Sequence, residues 1–148
     1  MIMRILAATA LLAGCASFVS SGPDRPPLND KIWELEVIRS MDDAQGTTRI
    51  DRPELYTLRF GSDGRLTLRI DCNRGSAAWK SVPSADSASG MLKIGVLATT
   101  KAMCPPGSLD QKVLRDLPYV RSYLLKDGKL YLSLMADGGV YEWRQAAR

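Results

Sequence analysis

The stretch YTLRFGSDGRLTLRI, residues 56–70, is typical of a β-hairpin. Its apolar and polar residues alternate on both sides of the turn Gly61–Gly64, and alternation with period two gives each strand one buried face. Glycine in the turn permits a positive φ and closes an antiparallel pair. The residues predicted to share the buried face are Leu58, Phe60, Leu66, Leu68 and Ile70. We therefore predict a mainly β, antiparallel domain.

The opposite face of the hairpin carries Arg59 and Arg69 beside threonines. We interpret this small basic face as a solvated outer surface of the sheet, in preference to a specific anion site. If the alternation continues past Ile70, Cys72 points toward the core, where its thiol can meet another element.

Further strands are predicted on both sides of the hairpin. Folded sequence begins near Asp30, and the strand that follows places Trp33, Leu35 and Val37 on one face and glutamates on the other. Residues 40–52 and 81–90 are predicted loops, the first with a short strand. The other predicted strands are residues 91–94, 119–126, 129–134 and 140–143, with turns at Asp127-Gly128 and at residues 136–139.

A single helix is predicted before the last strands. Ser108 is placed at the N-cap and Gln111 at N3, which is the spacing of a capping box. Asp110 in the first turn complements the helix dipole, and Pro118 ends the helix near residue 117. The apolar stripe consists of Leu109, Val113, Leu114 and Leu117.

The N-terminus has the pattern of an exported protein. A short basic start precedes the apolar run Ile5–Leu12, which at eight residues is far shorter than the roughly 20 that cross a bilayer. The run ends in Leu12-Ala13-Gly14-Cys15, which looks like a bacterial lipobox and implies cleavage before Cys15 and acylation of that residue. The alternative is an ordinary signal peptide with a chance cysteine.

These motifs divide the chain into a signal peptide (1–14), a lipid-anchored tether (15–28) and one folded domain (29–146). The tether is rich in serine, glycine and proline. No aspartate follows Cys15, since Ala16 and Ser17 stand there. By analogy with lipoprotein sorting, this predicts an outer-membrane lipoprotein that faces the periplasm.

Composition excludes several classes of function. The chain has no histidine, so it cannot by itself build a Ser-His-Asp triad, a Cys-His pair or a histidine-ligated metal site. A formal net charge of +4, of which Arg4 would leave with the signal peptide, is too small to argue for nucleic acid binding. No pair of carboxylates stands in a recognisable catalytic motif. We expect no catalytic residue, metal or cofactor.

With Cys15 acylated, Cys72 and Cys104 remain as a pair in an oxidising compartment. A disulfide is the first interpretation. Two buried free thiols and a redox-active pair are the alternatives, although the close Cys-x-x-Cys spacing is absent.

Two segments together resemble the META domain family, whose bacterial lipoprotein branch includes the heat-shock protein HslJ. The first segment carries Cys72, Asn73 and Arg74, with Trp79 where the family has an aromatic residue. The second matches the family pattern Leu-Ala-x-Thr-(Arg or Lys)-x-x-Cys at Leu97, Ala98, Thr100, Lys101 and Cys104. The chain departs from the pattern at Asp71 and Ala77, where glycine is common, and the resemblance covers roughly residues 28–144.

The resemblance implies an antiparallel sheet curved into an incomplete barrel, with the helix stripe closing its open side. It also implies a non-enzymatic envelope protein with a stress- or assembly-related role. The expected partners are the membrane, through acylated Cys15, and an envelope protein bound by a monomeric domain. The alternative is a pilotin-like carrier that holds a lipid or an apolar peptide in the half-barrel.

Overall fold

The predicted strands form in the computed structural model, which describes residues 27–41, 44 and 46–147. The predicted signal peptide, Cys15 and the tether up to residue 26 lie outside the described residues. The strands are β1 (Ile32–Arg39), β2 (Thr47–Arg49), β3 (Tyr56–Phe60), β4 (Arg65–Ile70), β5 (Asn73–Pro83), β6 (Ser89–Ile94), β7 (Ala98–Thr99), β8 (Val120–Lys126), β9 (Lys129–Leu134) and β10 (Val140–Gln145). Helix α1 spans Asp110–Asp116, and 3-10 turns span Pro53–Leu55 and Leu117–Tyr119.

The hairpin predicted over residues 56–70 is confirmed. Strands β3 and β4 pair with Tyr56 opposite Ile70 and Phe60 opposite Leu66. All five residues assigned to its inner face are buried. The alternation of this segment therefore predicted both its pairing and its buried side.

The sheet closes into a barrel, so the predicted incomplete barrel is wrong. Eight strands form an antiparallel ring in the order β1, β3, β4, β5, β6, β8, β9 and β10, and β10 pairs back onto β1. Strands β2 and β7 lie outside this ring, against β1 and β5. Closure removes the free edges that an open sheet would expose.

The closing seam between β1 and β10 runs from Trp33 opposite Gln145 to Arg39 opposite Val140. The register shifts between Leu35 and Val37, which is a β-bulge. Because a bulge adds one residue to one strand, it reverses the alternation that follows. Ile38 consequently joins the main hydrophobic core, whereas Val37, predicted to lie on the inner face, is buried outside that cluster.

Ion pairs cover the outer side of the same seam. Glu142 is almost fully buried and accepts hydrogen bonds from Lys129 at 2.6 Å and from Arg39 at 3.1 Å. The Lys129 ammonium also lies 2.8 Å from Glu36, and Arg144 lies 2.9 Å from Glu34. The predicted outward face of Glu34 and Glu36 is thus an organised charge network that joins three strands.

The barrel interior is filled by large side chains. Trp33, Phe60, Tyr123 and Trp143 are almost completely inaccessible, together with the leucines between them. Phe60 and Trp79 meet edge to face with ring centroids 5.0 Å apart. Each such side chain contributes roughly 2–3 kcal/mol by burial, so the interior supplies the principal stabilisation of the domain.

Helix α1 lies at the barrel end where β3, β5 and β10 begin. Tyr141 of β10 donates a 2.6 Å hydrogen bond to Asp116 at the end of the helix. Val113 and Leu117 are buried, and Leu109 and Leu114 pack against the core, as the apolar stripe predicted. The helix covers one end of a closed ring, and does not complete an open wall. Pro118 follows the helix within a 3-10 turn, as expected.

The start of the helix differs from the prediction. Leu109 occupies the N-cap position without a side-chain cap, so the capping box of Ser108 and Gln111 is wrong. The Ser108 hydroxyl accepts a hydrogen bond from the Asp110 amide at 3.2 Å, within the preceding turn.

Two further boundaries differ. Strand β5 continues to Pro83 and β6 begins at Ser89, so the predicted loop over residues 81–90 is shorter. Leu28, assigned to the end of the tether, is fully buried in the core. In the described part of the chain, no helix has the length and apolarity needed to span a membrane.

The seam network predicts a pH-dependent effect of Glu142→Gln. Hydrogen bonds from Lys129 and Arg39 hold the pKa of Glu142 below its ordinary value. A carboxylate with a lowered pKa stabilises the folded state above its unfolded pKa, and this stabilisation is lost as the pH falls through the folded pKa. We expect urea unfolding at neutral pH to show a loss of about 2 kcal/mol. The difference from wild type should shrink below about pH 4.

The control is Glu54→Gln, at an exposed residue that makes no ion pair among the described residues and acts on Arg144 of the network only as the last of five influences. Its unfolding free energy should stay within about 0.5 kcal/mol of wild type. A Glu142→Gln deficit that grows in acid would contradict the role assigned to the seam.

Candidate functional site

The two segments carrying the sequence motif meet at a disulfide. Cys72, at the β4–β5 turn, is bonded to Cys104, and the two lie 32 positions apart in the sequence. The disulfide interpretation is therefore confirmed, and the interpretation as two free thiols is wrong. The redox-active pair stays an alternative, since its oxidised form is also a disulfide. Closing a loop of this length stabilises the fold by about 3–4 kcal/mol in the chain-entropy description.

The predicted inward orientation of Cys72 is wrong. Residues 71 and 72 form the tight turn between Ile70 and Asn73, which are directly paired. Asp71 has φ +54°, the left-handed conformation that glycine adopts most easily. The turn leaves Cys72 half-buried and makes Asn73 the buried residue. Asp71 thus keeps the tight backbone path that a glycine would give, although the sequence departs from the family pattern there.

The side-chain amide of Asn73 fills all its hydrogen-bonding positions with residues of the second motif segment and of the first turn of α1. Its Nδ2 donates to the Ala102 carbonyl and to Asp110 Oδ2, both at 3.1 Å. Its Oδ1 accepts from the Ala102 amide at 2.8 Å and from the Thr100 hydroxyl at 2.9 Å. A primary amide offers two donors and two acceptor positions, so every one is filled. The sequence predicted a backbone contact at a local turn, whereas the contact is to a segment about 30 residues away.

Strand β7 lies directly on β5 beside this cluster. Gly75 pairs with Thr99, and the Thr100 amide donates to the Arg74 carbonyl at 2.9 Å. A Cβ on Gly75 would come within 2.6 Å of the Thr99 side chain and closer still to the Ala98 carbonyl. Glycine at position 75 therefore permits the approach of the second segment.

Asp110 and Tyr56 extend the cluster to helix α1. The Asp110 carboxylate is buried and accepts the hydrogen bond from Asn73. The Tyr56 hydroxyl accepts from the Leu109 amide at 3.1 Å, which satisfies one of the free amides at the helix start. Sequence reasoning assigned neither residue to the site. The acidic residue in the first helical turn was recognised, but its partner comes from another part of the chain.

The remaining motif residues do not converge. Arg74, Ala98 and Lys101 are exposed, and Leu97 packs against the core. No group of three cysteine, aspartate or glutamate side chains within the described ranges is placed to hold a metal ion. The motif is best described as a structural clasp formed by Cys72, Asn73, Thr100, Cys104 and Asp110.

Two surface cavities flank the clasp. One, of about 410 Å³, is bounded by Asn73, Lys101 and Gln111 together with Leu114. The other, of about 400 Å³, lies between β2 and the Pro105–Ser108 segment, with Arg49 and Arg52 on its rim. Asn73, Thr100 and Asp110 line the first cavity, so a partner that bound there would depend on the clasp. The second cavity is lined by Asp71 and Pro105, which are the sequence neighbours of the two clasp cysteines.

The clasp predicts a large loss of stability for Asn73→Ala. The substitution removes the partner of the Ala102 amide and carbonyl and leaves the buried Asp110 carboxylate without its hydrogen bond. An unsatisfied buried carboxylate is costly. We expect chemical unfolding to show a loss of about 3 kcal/mol. Arg74→Ala, at the exposed neighbouring residue, should change stability by less than about 0.5 kcal/mol. Equal effects of the two variants would contradict the assignment.

The same geometry predicts a pH-dependent effect for Asn73→Asp. Asn73 Nδ2 lies 3.1 Å from Asp110 Oδ2, so the substitution places a second carboxylate directly beside the first. Two carboxylates at this distance repel each other only while both are ionised, and acid relieves the repulsion. The deficit relative to wild type should therefore be larger at about pH 7 than at about pH 4.

Comparison with known proteins agrees with this architecture. The family model of the META domain matches residues 26–147. A crystal structure of a DUF4847 family protein from Bacteroides vulgatus is similar in fold, with a TM-score of 0.56 at 12% sequence identity. The match covers 82% of this chain and 96% of that one. No curated protein matches the chain. Since the family model spans the barrel, the clasp and the helix, the chain belongs to the META domain family.

Proposed function

We propose that this chain is a lipid-anchored cell-envelope protein whose META domain is a non-enzymatic interaction module. The observation that carries the proposal is Leu12-Ala13-Gly14-Cys15 directly after an apolar run of signal-peptide length. The Cys72–Cys104 disulfide supports export, because disulfides persist in oxidising compartments. Ala16 and Ser17 after the lipidated cysteine support the periplasmic face of the outer membrane as the location.

The engagement of the motif residues supports a non-enzymatic role. The polar side-chain groups of Asn73 and Thr100 make hydrogen bonds within the domain, and the two cysteines are bonded to each other. Buried groups with all their hydrogen bonds made are suited to holding a structure. The resemblance to the heat-shock lipoprotein branch of the family suggests that the module acts in envelope stress or assembly.

The filled barrel favours an interaction module over the carrier alternative. Trp33 and Trp143 occupy the interior with almost no accessible surface, and the wall is closed by β10 and β1. An apolar ligand would need to displace packed side chains, whereas ligand cavities of carriers are largely preformed. Native mass spectrometry of the protein extracted from cells tests this point. Co-purifying lipid would support the carrier, and whole-cell crosslinking to one envelope protein would support the module.

The anchor predicts that Cys15→Ser releases the protein from membranes. More than one acyl chain makes anchoring stable, at about 0.8 kcal/mol for each buried CH₂. Fractionation in about 1 M salt, where charge attraction is screened beyond about 3 Å, isolates the contribution of the acyl chains. We expect the wild type to remain with membranes and Cys15→Ser to become soluble. Mass spectrometry of the N-terminal peptide should find acyl groups on wild-type Cys15.

The matched control replaces both other cysteines, as Cys72→Ser with Cys104→Ser. This variant should remain acylated and membrane-bound while it loses about 3–4 kcal/mol of stability. A Cys15→Ser protein that stays with salt-washed membranes as fully as the wild type would overturn the anchor.

A further inference from the structure

Among the strands of the ring, carboxylates are confined to the neighbours β1 and β10. The consecutive strands β4, β5 and β6 contain no carboxylate, and their cations are Arg65, Arg69, Arg74, Lys80 and Lys93. On the other side, β1 and β10 carry glutamates that pair with the basic residues around them. The cations of β5 and β6 therefore lie on the strands of the ring that are farthest from those glutamates.

The cations on this side face one another across strands. Lys80 of β5 is directly opposite Lys93 of β6, and Arg69 of β4 is directly opposite Arg74 of β5. Like charges in such positions repel. Within the described residues, Lys80, Lys93 and Arg74 have no ion pair, and both lysines are exposed. An anion that bound between the lysines would remove this repulsion, and a shallow cavity of about 160 Å³ lies between them.

The next outward positions on the same strands are apolar. Val82 lies opposite Met91, and each is 67% exposed. Leu124 of β8 continues this apolar surface, and an open cavity of about 530 Å³ lies among these residues. We call the surface formed by Lys80, Val82, Met91, Lys93 and Leu124 the β5–β6 face.

An acidic residue also lies in the loop next to this face. Asp86, in the loop between β5 and β6, accepts hydrogen bonds from the Ser84 hydroxyl at 2.6 Å and from the Ala88 amide at 3.0 Å. Its carboxylate is thus engaged within its own loop.

We propose that the β5–β6 face docks on an anionic lipid surface. Lys80 and Lys93 bind phosphate groups of the headgroups, while Val82 and Met91 enter the boundary between headgroups and acyl chains. Unpaired cations beside exposed apolar side chains are the composition that such surfaces attract. The face is the convex outer side of a barrel, and fluid headgroups can adapt to it without a preformed groove.

This docking does not require the acyl anchor. A tether at Cys15 would, however, raise the local concentration of the β5–β6 face at the membrane. The test therefore uses residues 15–148 carrying Cys15→Ser, which lack both the acyl chains and the apolar run Ile5–Leu12, so that the anchor and the face are measured separately. Sedimentation with vesicles of phosphatidylcholine alone, or mixed with phosphatidylglycerol, gives the partition coefficient. We expect preferential binding to the anionic vesicles that weakens as salt is added.

Lys80→Gln with Lys93→Gln should lower the partition coefficient about 25-fold, from about fivefold for each charge. Val82→Ser with Met91→Ser should lower it about tenfold and leave the salt dependence in place. Both pairs are exposed, and circular dichroism with intact mass confirms that the variants remain folded and disulfide-bonded.

The matched control is Arg49→Gln with Arg52→Gln, which removes the same charge. These exposed residues lie on and beside β2, which pairs with β1, and β1 is across the ring from β6. The control should change binding less than about threefold, because its charges lie beyond the Debye length of about 8 Å from the docked face. Equal losses in the two charge variants would overturn the proposal. So would equal binding to neutral vesicles, or crosslinking of Lys80 to an envelope protein without vesicle binding.

Discussion

The side-chain amide of Asn73 is the interaction on which the arrangement of the clasp depends. It joins the first residue of β5 to a segment that has little regular structure of its own, and it makes four hydrogen bonds while almost fully buried. The Cys72–Cys104 disulfide lies beside it and limits the separation of the same two segments. Because the amide fills both donor and both acceptor positions, the clasp holds its partners in one orientation, which a disulfide alone would not do.

The clasp and the closing seam act on different parts of the barrel. The seam joins β1 to β10 and adds a buried glutamate between two cations on its outer side. The clasp positions β7 and the start of α1, and Tyr141 fixes the far end of the helix through Asp116. The closed ring, its covered end and a filled interior leave the outer surface as the part available to partners. The charge of that surface is divided, with ion pairs over the seam and unpaired cations over β5 and β6.

Local patterns predicted much of the fold. They failed where a bulge or a turn changed which residues of the alternating pattern face the core. Alternation identified the inner face of β3 and β4 because each side chain follows from the backbone of its own strand. It failed at the bulge in β1, where Ile38 turns inward, and at the turn of Asp71 and Cys72, where the buried position passes to Asn73. The capping box failed because the helix begins two residues after Ser108, at a start held by Tyr56 from β3. The turn at Asp71 and Cys72 is local, whereas the bulge in β1 and the start of α1 involve strands distant in sequence.

The sequence by itself indicated the β class, most of the strands, the single helix and the resemblance to the META domain family, and it favoured a disulfide between the two distal cysteines. These depend on periodicity, on turn residues and on short motifs, all of which are properties of neighbouring residues. The tertiary structure alone decided that β10 closes onto β1, that Asn73 binds Ala102 and Asp110, and that Lys80 faces Lys93. Those facts are registers and contacts between segments far apart in the chain. They are set by how the whole ring packs, and no local pattern encodes them.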